Sequence, residues 1–393
     1  MAMTSPSHGE GRQFESGRAH QRLHNIPFLP QDVSLAEKIA EIEDEISSTK
    51  YNKVTQHHIG KLKAKLAQLR EKVVAQSSGP KGSGYGVRKA GDATVAIVGL
   101  PSVGKSTLLN SVTAAKSETA AYAFTTLDVI PGVLQYRQAR IQMLDLPGLI
   151  AGAARGAGRG REVLSVIRGA DLVLHLVDAA EPAPQIILQE LEDAGLRLDG
   201  RRPNGAIART GRGGIEVIST VSQELEVEAI KAVAREYGVV NAQIVLRERF
   251  DLDLLVDLLA GTRVYPPSLT VLTKVDLASE AQLAQARELC PDAIEIAPPT
   301  GQGLEALRDA IYARLDFISV FMKPQGQPAD LEEPLVVRRG TTVAEICQAL
   351  HRDFRRKFRY ALVWGDSAKF PGQTVGLAHA VADGDLVSII THR

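Results

Sequence analysis

The sequence predicts an α/β fold: a doubly wound, mostly parallel sheet with a helical hairpin before it and a small β-grasp unit after it. Two observations predict the sheet. Apolar strand candidates alternate with helical segments, and the first candidate leads into a glycine-rich turn that opens a helix. The strand candidates are 94–98, 140–144, 172–177, 268–272 and 293–296.

The N-terminal part of the chain contains a polar tail and two helical patterns. Residues 1–32 have no hydrophobic periodicity, so we expect a flexible tail there. A helical hairpin is predicted over 33–76, where a capping box of Ser34 and Glu37 precedes two apolar stripes. The first helix is acidic and the second is basic. The basic helix either neutralises its acidic neighbour or contacts RNA or a partner protein.

Changes of pattern mark the domain boundaries. A linker of small residues over 77–90 precedes the sheet domain, which we place at 91–317. The gap between the third and fourth strand candidates is too long for a loop, so an inserted α+β subdomain is expected at about 183–250. A β-grasp domain is predicted over 318–393. Further predicted elements are helices at 185–195 and 222–237, a strand at 214–221, and a helical stripe of Val343, Ile346, Leu350 and Phe354.

Composition and charge exclude several classes of protein. The 46 basic and 46 acidic side chains cancel, so no overall field attracts nucleic acid or a membrane, and any basic surface is local. Cys290 and Cys347 are the only cysteines, which indicates a reducing compartment without a disulfide framework. No apolar run approaches the length of a membrane span. We therefore expect a cytoplasmic monomer without a membrane partner.

The most informative motif is the run Gly99–Ser106, in which two glycines, a lysine and a serine have the spacing of a P-loop. The motif follows a predicted strand and opens a predicted helix, as a P-loop must. Backbone N–H groups of such a turn bind phosphate oxygens. Lys105 is expected to bridge the β- and γ-phosphates, and Ser106 to bind Mg²⁺. A bound nucleoside triphosphate is the leading hypothesis.

A second motif, Thr273-Lys274-Val275-Asp276, follows a later strand and predicts guanine recognition. The Asp276 carboxylate can accept hydrogen bonds from both N1–H and the 2-amino group of guanine, which adenine lacks. Lys274 is expected to pack along the base. Thr273 has a shorter reach than the asparagine common at this position. Ala297-Pro298 stands where Ser-Ala is usual, so only backbone contacts to the base are expected there.

Segments after the P-loop are predicted to sense the γ-phosphate. Thr126 lies where a mobile threonine would bind Mg²⁺ and the γ-phosphate. Asp145 ends a strand beside the metal, and Gly148 offers a backbone N–H to the γ-phosphate. Leu149 stands where many GTPases have a water-orienting glutamine, so slow hydrolysis is predicted, with water positioned by backbone, a partner or a monovalent cation.

These motifs resemble those of the developmentally regulated GTP-binding protein family, an Obg-like branch of the P-loop GTPases. The motifs that carry the resemblance are Gly99–Thr107, Phe124-Thr125-Thr126-Leu127, Asp145-Leu146-Pro147-Gly148-Leu149-Ile150, Gly158-Arg159-Gly160-Arg161 and Tyr360–Gly365. The resemblance extends from Leu35 to Arg393. It implies a P-loop GTPase (G) domain and a C-terminal TGS domain that binds RNA or the ribosome. It further implies a translation-associated GTPase that needs Mg²⁺, is often stimulated by K⁺ and is stabilised by a regulatory protein.

The motifs and the resemblance together predict one site. Its catalytic residues are Lys105, Thr126 and Gly148. Its Mg²⁺ ligands are Ser106, Thr126 and, through water, Asp145. The residues predicted to bind GTP or GDP are Gly99, Leu100, Pro101, Ser102, Val103, Gly104, Lys105, Ser106, Thr107, Phe124, Thr125, Thr126, Asp145, Gly148, Thr273, Lys274, Asp276, Ala297 and Pro298. K⁺ dependence stays open, because Ser102 stands where K⁺-coordinating relatives often have asparagine.

Two functions from different classes remain. The first is a GTP hydrolase that acts as a switch in translation. The second is a GTP-ordered module that binds RNA or the ribosome with negligible hydrolysis. This alternative remains because Leu149 cannot orient the attacking water. An ATPase or kinase is disfavoured by Asp276. The basic cluster Arg352–Arg359, interleaved with aromatic residues, is either a nucleic-acid contact or a solvated helix end.

Overall fold

The fold is organised around the apolar strand that leads into the P-loop. The computed structural model describes residues 35–75, 91–113, 130–146 and 160–392. Its strands are β1 (Ala93–Gly99), β2 (Ile130–Tyr136), β3 (Ala139–Asp145), β4 (Leu172–Asp178), β5 (Gly205–Arg209), β6 (Ile215–Ser219), β7 (Ala242–Leu246), β8 (Ser268–Thr273), β9 (Ile294–Glu295), β10 (Phe317–Met322), β11 (Leu335–Arg338), β12 (Phe358–Trp364), β13 (Gln373–Val375) and β14 (Leu386–Thr391). Its α-helices are α1 (Leu35–Ser48), α2 (Gln56–Ala75), α3 (Lys105–Val112), α4 (Gly160–Gly169), α5 (Pro184–Asp193), α6 (Val227–Glu236), α7 (Leu252–Ala260), α8 (Glu280–Leu289), α9 (Leu304–Arg314), α10 (Val343–Leu350) and α11 (Arg352–Arg356).

The main sheet has six strands in the order β2-β3-β1-β4-β8-β9. All neighbours are parallel except β2, which runs antiparallel to β3. β1 is buried along its whole length because helices cover both faces of the sheet. The predicted doubly wound sheet is confirmed, and the five strand candidates correspond to β1, β3, β4, β8 and β9. The sequence does not predict β2, since Pro131 and Gly132 are typical turn residues that an edge strand tolerates.

The predicted N-terminal helices are α1 and α2, and their two apolar stripes pack against each other. Arg70 pairs with Glu43 at 2.8 Å, and His58 lies 2.9 Å from Glu45. Neutralisation between the helices is therefore observed for the Arg70–Glu43 pair, and a contact of the basic helix with RNA or a partner stays a prediction.

A second, three-stranded sheet in the order β5-β7-β6 packs against α2, α6 and α7. Lys63 of α2 pairs with Asp253 of α7 at 2.6 Å. The helix predicted at 185–195 is α5, which packs on the main sheet through Ile187 and Leu191 rather than on this second sheet. None of the described helices is long and apolar enough to cross a membrane.

The C-terminal sheet has the order β11-β10-β14-β12-β13, and α10 packs on one of its faces. Val343, Ile346 and Cys347 of α10 lie in this core. The predicted helical stripe does not continue to Phe354, because His351 adopts an extended conformation and ends α10. The His351 ring then accepts a hydrogen bond from the Asp353 N–H at 3.2 Å and begins α11, which leaves Phe354 38% exposed.

Candidate guanine nucleotide site

The P-loop is a tight turn between β1 and α3. Ser102 and Gly104 both have positive φ, at 63° and 97°. A Cβ on Gly104 would meet open space, so its backbone conformation is what favours glycine. At Gly99 a Cβ would lie 2.8 Å from the Leu176 carbonyl oxygen, so close packing requires glycine there. The turn places the N-terminus of α3, whose first N–H groups have no partner within the helix, at the carboxyl end of β1.

The Lys105 side chain lies inside this turn. Its Nζ donates hydrogen bonds to the carbonyl oxygens of Gly99 at 3.1 Å and Leu100 at 2.9 Å, and the residue is 8% exposed. Burial lowers the pKa of Lys105, and the Asp145 carboxylate partly opposes that shift. The Lys105 ammonium therefore lies inside the turn, where phosphate oxygens of a bound nucleotide can accept hydrogen bonds from it.

Ser106 and Asp145 supply two oxygens next to Lys105. Ser106 Oγ donates to Asp145 Oδ2 at 2.5 Å, and Asp145 is only 7% exposed at the end of β3. Hydroxyl and carboxylate oxygens suit Mg²⁺, which takes the rest of its shell from nucleotide and water. Within the described ranges no group of three His, Cys, Asp or Glu side chains can hold a metal. The hydroxyl of Ser106 and the carboxylate of Asp145 would suit a metal that is bound together with a nucleotide.

The base motif is connected directly to the P-loop. Thr273 is 1% exposed, and its Oγ1 lies 2.7 Å from the Val103 carbonyl oxygen and 3.2 Å from that of Val177. The hydroxyl therefore links the base motif to the P-loop. Lys274 has φ 58°, and its ammonium pairs with Asp178 at 2.6 Å. Asp276 is exposed at the start of the following turn.

Asp178 is the residue that sequence reasoning missed. It ends β4 beside the base motif and also accepts a hydrogen bond from the Ala180 N–H at 2.9 Å. The available signal was a carboxylate at the carboxyl end of a parallel strand, where ligand sites form.

The Ala297-Pro298 loop lies next to the base motif, since the Val275 N–H faces the Ile296 carbonyl oxygen at 3.5 Å. Ala297 is fully buried, and its N–H donates to the Gln302 carbonyl oxygen at 3.1 Å. Pro298 begins a short 3-10 helix, Pro298–Thr300.

Four predicted site residues, together with the water-orienting position, lie outside the described residues. They are Phe124, Thr125, Thr126, Gly148 and Leu149. The described part of the chain brings Lys105, Ser106 and Asp145 together, and it joins the P-loop to the base motif through Thr273.

Changing Thr273 to valine removes the hydroxyl at nearly constant volume and leaves the Val103 carbonyl oxygen without this donor. We expect affinity for GDP to fall by about tenfold, the equivalent of one buried hydrogen bond. Thr273→Ser keeps the hydroxyl and should retain most of the affinity. Isothermal titration calorimetry on both variants checks this, and equal GDP affinity for valine and wild type would show that the bond does not position the P-loop.

Comparison with known proteins places these features in a family. Residues 94–203 match the family model described as a 50S ribosome-binding GTPase, 212–317 match the model of its C-terminal region, and 318–391 match the TGS domain. Human developmentally-regulated GTP-binding protein 2 is 40% identical over 364 residues, which is 91% of this chain and 100% of the human protein. The chain belongs to the developmentally regulated GTP-binding protein family. It is a GTP-binding protein with a P-loop GTPase domain and a TGS domain.

Other known proteins are also similar to this chain. An uncharacterised GTP-binding protein of Methanocaldococcus jannaschii is 48% identical over 379 residues, covering 95% of this chain and 97% of the relative. A crystal structure of a GTP-binding protein from Pyrococcus horikoshii aligns over 76% of this chain and 100% of that one, with a TM-score of 0.40 and 16% identity. The family assignment depends on the sequence relatives and not on that alignment.

Proposed function

We propose that this protein is a guanine nucleotide switch that hydrolyses GTP slowly and acts in a ribosome-associated process. The observation that carries the proposal is the 2.7 Å bond from Thr273 to the Val103 carbonyl oxygen, because it joins a base motif and a phosphate-binding turn into one site. Lys105 contacts the β- and γ-phosphates in this proposal, and Asp276 reads the guanine. Ala297 and Pro298 contact the other side of the base through backbone groups.

The switch chemistry depends on Mg²⁺, which neutralises charge on the β- and γ-phosphates when it is bound. Ser106 would ligate it directly and Asp145 through water, as their 2.5 Å approach allows. We assign the remaining protein ligand to Thr126 and the γ-phosphate N–H contact to Gly148. These two assignments rest on sequence position alone.

Slow turnover is expected because an aliphatic side chain at Leu149 cannot orient the attacking water. The test is single-turnover phosphate release from GTP in KCl and in NaCl, with and without ribosomes. The isolated chain should release phosphate at a rate on the order of 10⁻³ s⁻¹ or slower, and K⁺ or ribosomes should raise that rate at least about tenfold. Fast release that is insensitive to both would contradict the proposal, and no release under any condition would favour the GTP-ordered binding module.

The C-terminal domain offers a basic surface for RNA. Arg355, Arg356 and Lys357 are exposed beside Phe354, and Arg356 forms an ion pair with Asp353 at 3.0 Å. Exposed cations next to an aromatic ring suit phosphates and unstacked bases. The family model matched by residues 94–203 is described as a 50S ribosome-binding GTPase, which supports the ribosome as a partner, and we assign the contact to this surface of the TGS domain.

Changing Arg356 and Lys357 together to glutamine should weaken binding to 50S subunits about tenfold at moderate salt and reduce the salt dependence of the affinity. The matched control changes Lys65 and Lys72, exposed on α2, to glutamine. Co-sedimentation over a salt series measures both variants. A larger loss in the control pair would assign the contact to the helical hairpin instead.

A further inference from the structure

The second sheet, in the order β5-β7-β6, has a covered face and an open face. On the covered face, Ile207 and Ile244 pack with apolar residues of α6 and α7. The alternate residues of the three strands lie on the opposite face, where each is exposed or half-buried. They are Ala206, Ala208, Glu216, Ile218, Gln243 and Val245. Neither the guanine nucleotide site nor the basic surface of α11 uses this open face.

Exposed arginines form a cluster at each end of this sheet. β5 runs antiparallel to β7, so the residues before β5 and after β7 meet at one end, where the Arg247 N–H donates to the Asn204 carbonyl oxygen at 2.9 Å. The cluster at that end consists of Arg201, Arg202, Arg247 and Arg249. The cluster at the other end consists of Arg209 and Arg212, at the end of β5 and in its connection to β6. The five residues of β5 separate the two clusters by about 13 Å, at a rise of about 3.3 Å per residue.

The cations of the two clusters outnumber the neighbouring carboxylates. The whole chain has 46 basic and 46 acidic side chains, whereas 201–219 and 242–249 together contain six arginines and two glutamates. Arg201 pairs with Glu248, and the other five arginines form no ion pair within the part of the chain that the structure describes. Glu216 accepts a hydrogen bond from Gln243 at 3.1 Å. Such a local excess of exposed positive charge attracts a polyanion.

The connection from β5 to β6 is held in a defined shape. Gly213 and Gly214 have φ 106° and 72°, and a Cβ on either would meet nothing within 4 Å, so backbone conformation favours glycine there. The Asn241 side chain accepts a hydrogen bond from the Gly214 N–H at 2.8 Å, and the Asn241 carbonyl oxygen accepts one from the Thr210 N–H at 3.0 Å. Because the loop is already ordered, Arg212 can bind a ligand with a smaller loss of backbone entropy.

The shape and composition of the open face indicate the kind of polyanion. Proteins hold single strands largely by stacking bases on aromatic rings, and neither the open face nor the two arginine clusters contain an aromatic residue. The small side chains of Ala206 and Ala208 leave the strip between the clusters shallow. An RNA helix has a wide, shallow minor groove with a row of phosphates on each side.

We propose that this face binds the backbone of double-stranded RNA, with one arginine cluster on each phosphate row and the open face over the minor groove. The contacts are to phosphates, so recognition depends on the shape of the helix and not on its sequence. The choice of RNA rests on the proposed association with the ribosome, whereas the binding of a helical polyanion to this face does not.

Fluorescence anisotropy with a labelled RNA hairpin of about 16 base pairs tests the proposal on the full chain without nucleotide. Changing Arg209 and Arg212 together to glutamine should weaken binding about tenfold at moderate salt and reduce the slope of log affinity against log salt by about two. Glu216→Gln, which removes a carboxylate from the open face, should strengthen binding about threefold. The matched control changes Lys231 and Arg235 of α6, on the covered side of the sheet, to glutamine and should leave the affinity nearly unchanged.

The same changes are also made in a chain that carries Arg356→Gln and Lys357→Gln, which removes the contribution of the α11 surface. Unchanged affinity on replacing Arg209 and Arg212 in both backgrounds would overturn the proposal, and so would an equal loss in the control. Single-stranded RNA of the same length that binds as tightly as the hairpin would exclude the helix as the ligand. A DNA hairpin that binds as tightly would overturn the choice of RNA. If GDP fails to bind the protein, the proposed function fails, while the affinity for the RNA hairpin still reports on this face.

Discussion

Asp276→Asn is expected to change the base preference of this protein from guanine to xanthine. A carboxylate accepts from both N1–H and the 2-amino group of guanine, whereas an asparagine amide accepts from N1–H and donates to the 2-oxo group of xanthine. A site built to pair with specific donors rejects an analogue that lacks them by large factors. We expect GDP affinity to fall about a thousandfold and xanthosine diphosphate affinity to rise by a similar factor.

Competition against a fluorescent GDP analogue measures both affinities. The control is Asp292→Asn, which neutralises an exposed carboxylate in the turn before β9 and should leave the preference for guanine unchanged. If Asp276→Asn binds GDP as tightly as the wild type does, the base is recognised by other groups.

Lys105→Met is expected to remove at least about 99% of the GTP affinity, because charged hydrogen bonds to phosphate contribute several kcal/mol in a partly desolvated site. Folding should not suffer. Within the described residues the nearly buried Lys105 ammonium donates hydrogen bonds to the carbonyl oxygens of Gly99 and Leu100, so methionine of similar length removes a desolvated charge. Calorimetric titration with GTP measures the binding, and thermal unfolding measures the stability. Full GTP affinity in this variant would exclude Lys105 from the phosphate site.

The same residue gives a pH dependence with a defined sign. The pKa of Lys105 is lowered in the folded state from 10.5, so between the two pKa values the unfolded chain binds more protons than the folded chain. Stability of the nucleotide-free wild type, measured relative to Lys105→Met, should therefore rise with pH as the solution approaches pH 10.5. Urea unfolding of both proteins at several alkaline pH values tests this. A difference in stability that stays constant over this range would show that Lys105 is not desolvated.

The sequence predicts those parts of the fold and site that depend on local pattern. β1 is an uninterrupted apolar strand and Gly99–Ser106 has a strict spacing, so both are recognisable without tertiary information. Asp145 and Thr273 both end strands of one parallel sheet, and their approach to the P-loop follows from that topology.

The rest depends on side-chain directions that no local pattern contains. The contact of Thr273 with Val103 joins residues 170 positions apart in the chain, and only the structure shows the hydroxyl turned towards the P-loop. The ion pair of Lys274 with Asp178 likewise joins residues that are far apart in the chain. Another example is the end of α10 at His351, where one extended residue interrupts a helical stripe that hydrophobic spacing alone would continue.

The most direct test of the account is the selectivity of the unmodified protein between GDP and ADP in Mg²⁺. Isothermal titration calorimetry at one temperature and salt concentration should give an affinity for GDP at least about a thousandfold higher than for ADP, because Asp276 can pair with guanine and not with adenine. Comparable affinities for the two nucleotides would contradict the assignment of this site to guanine.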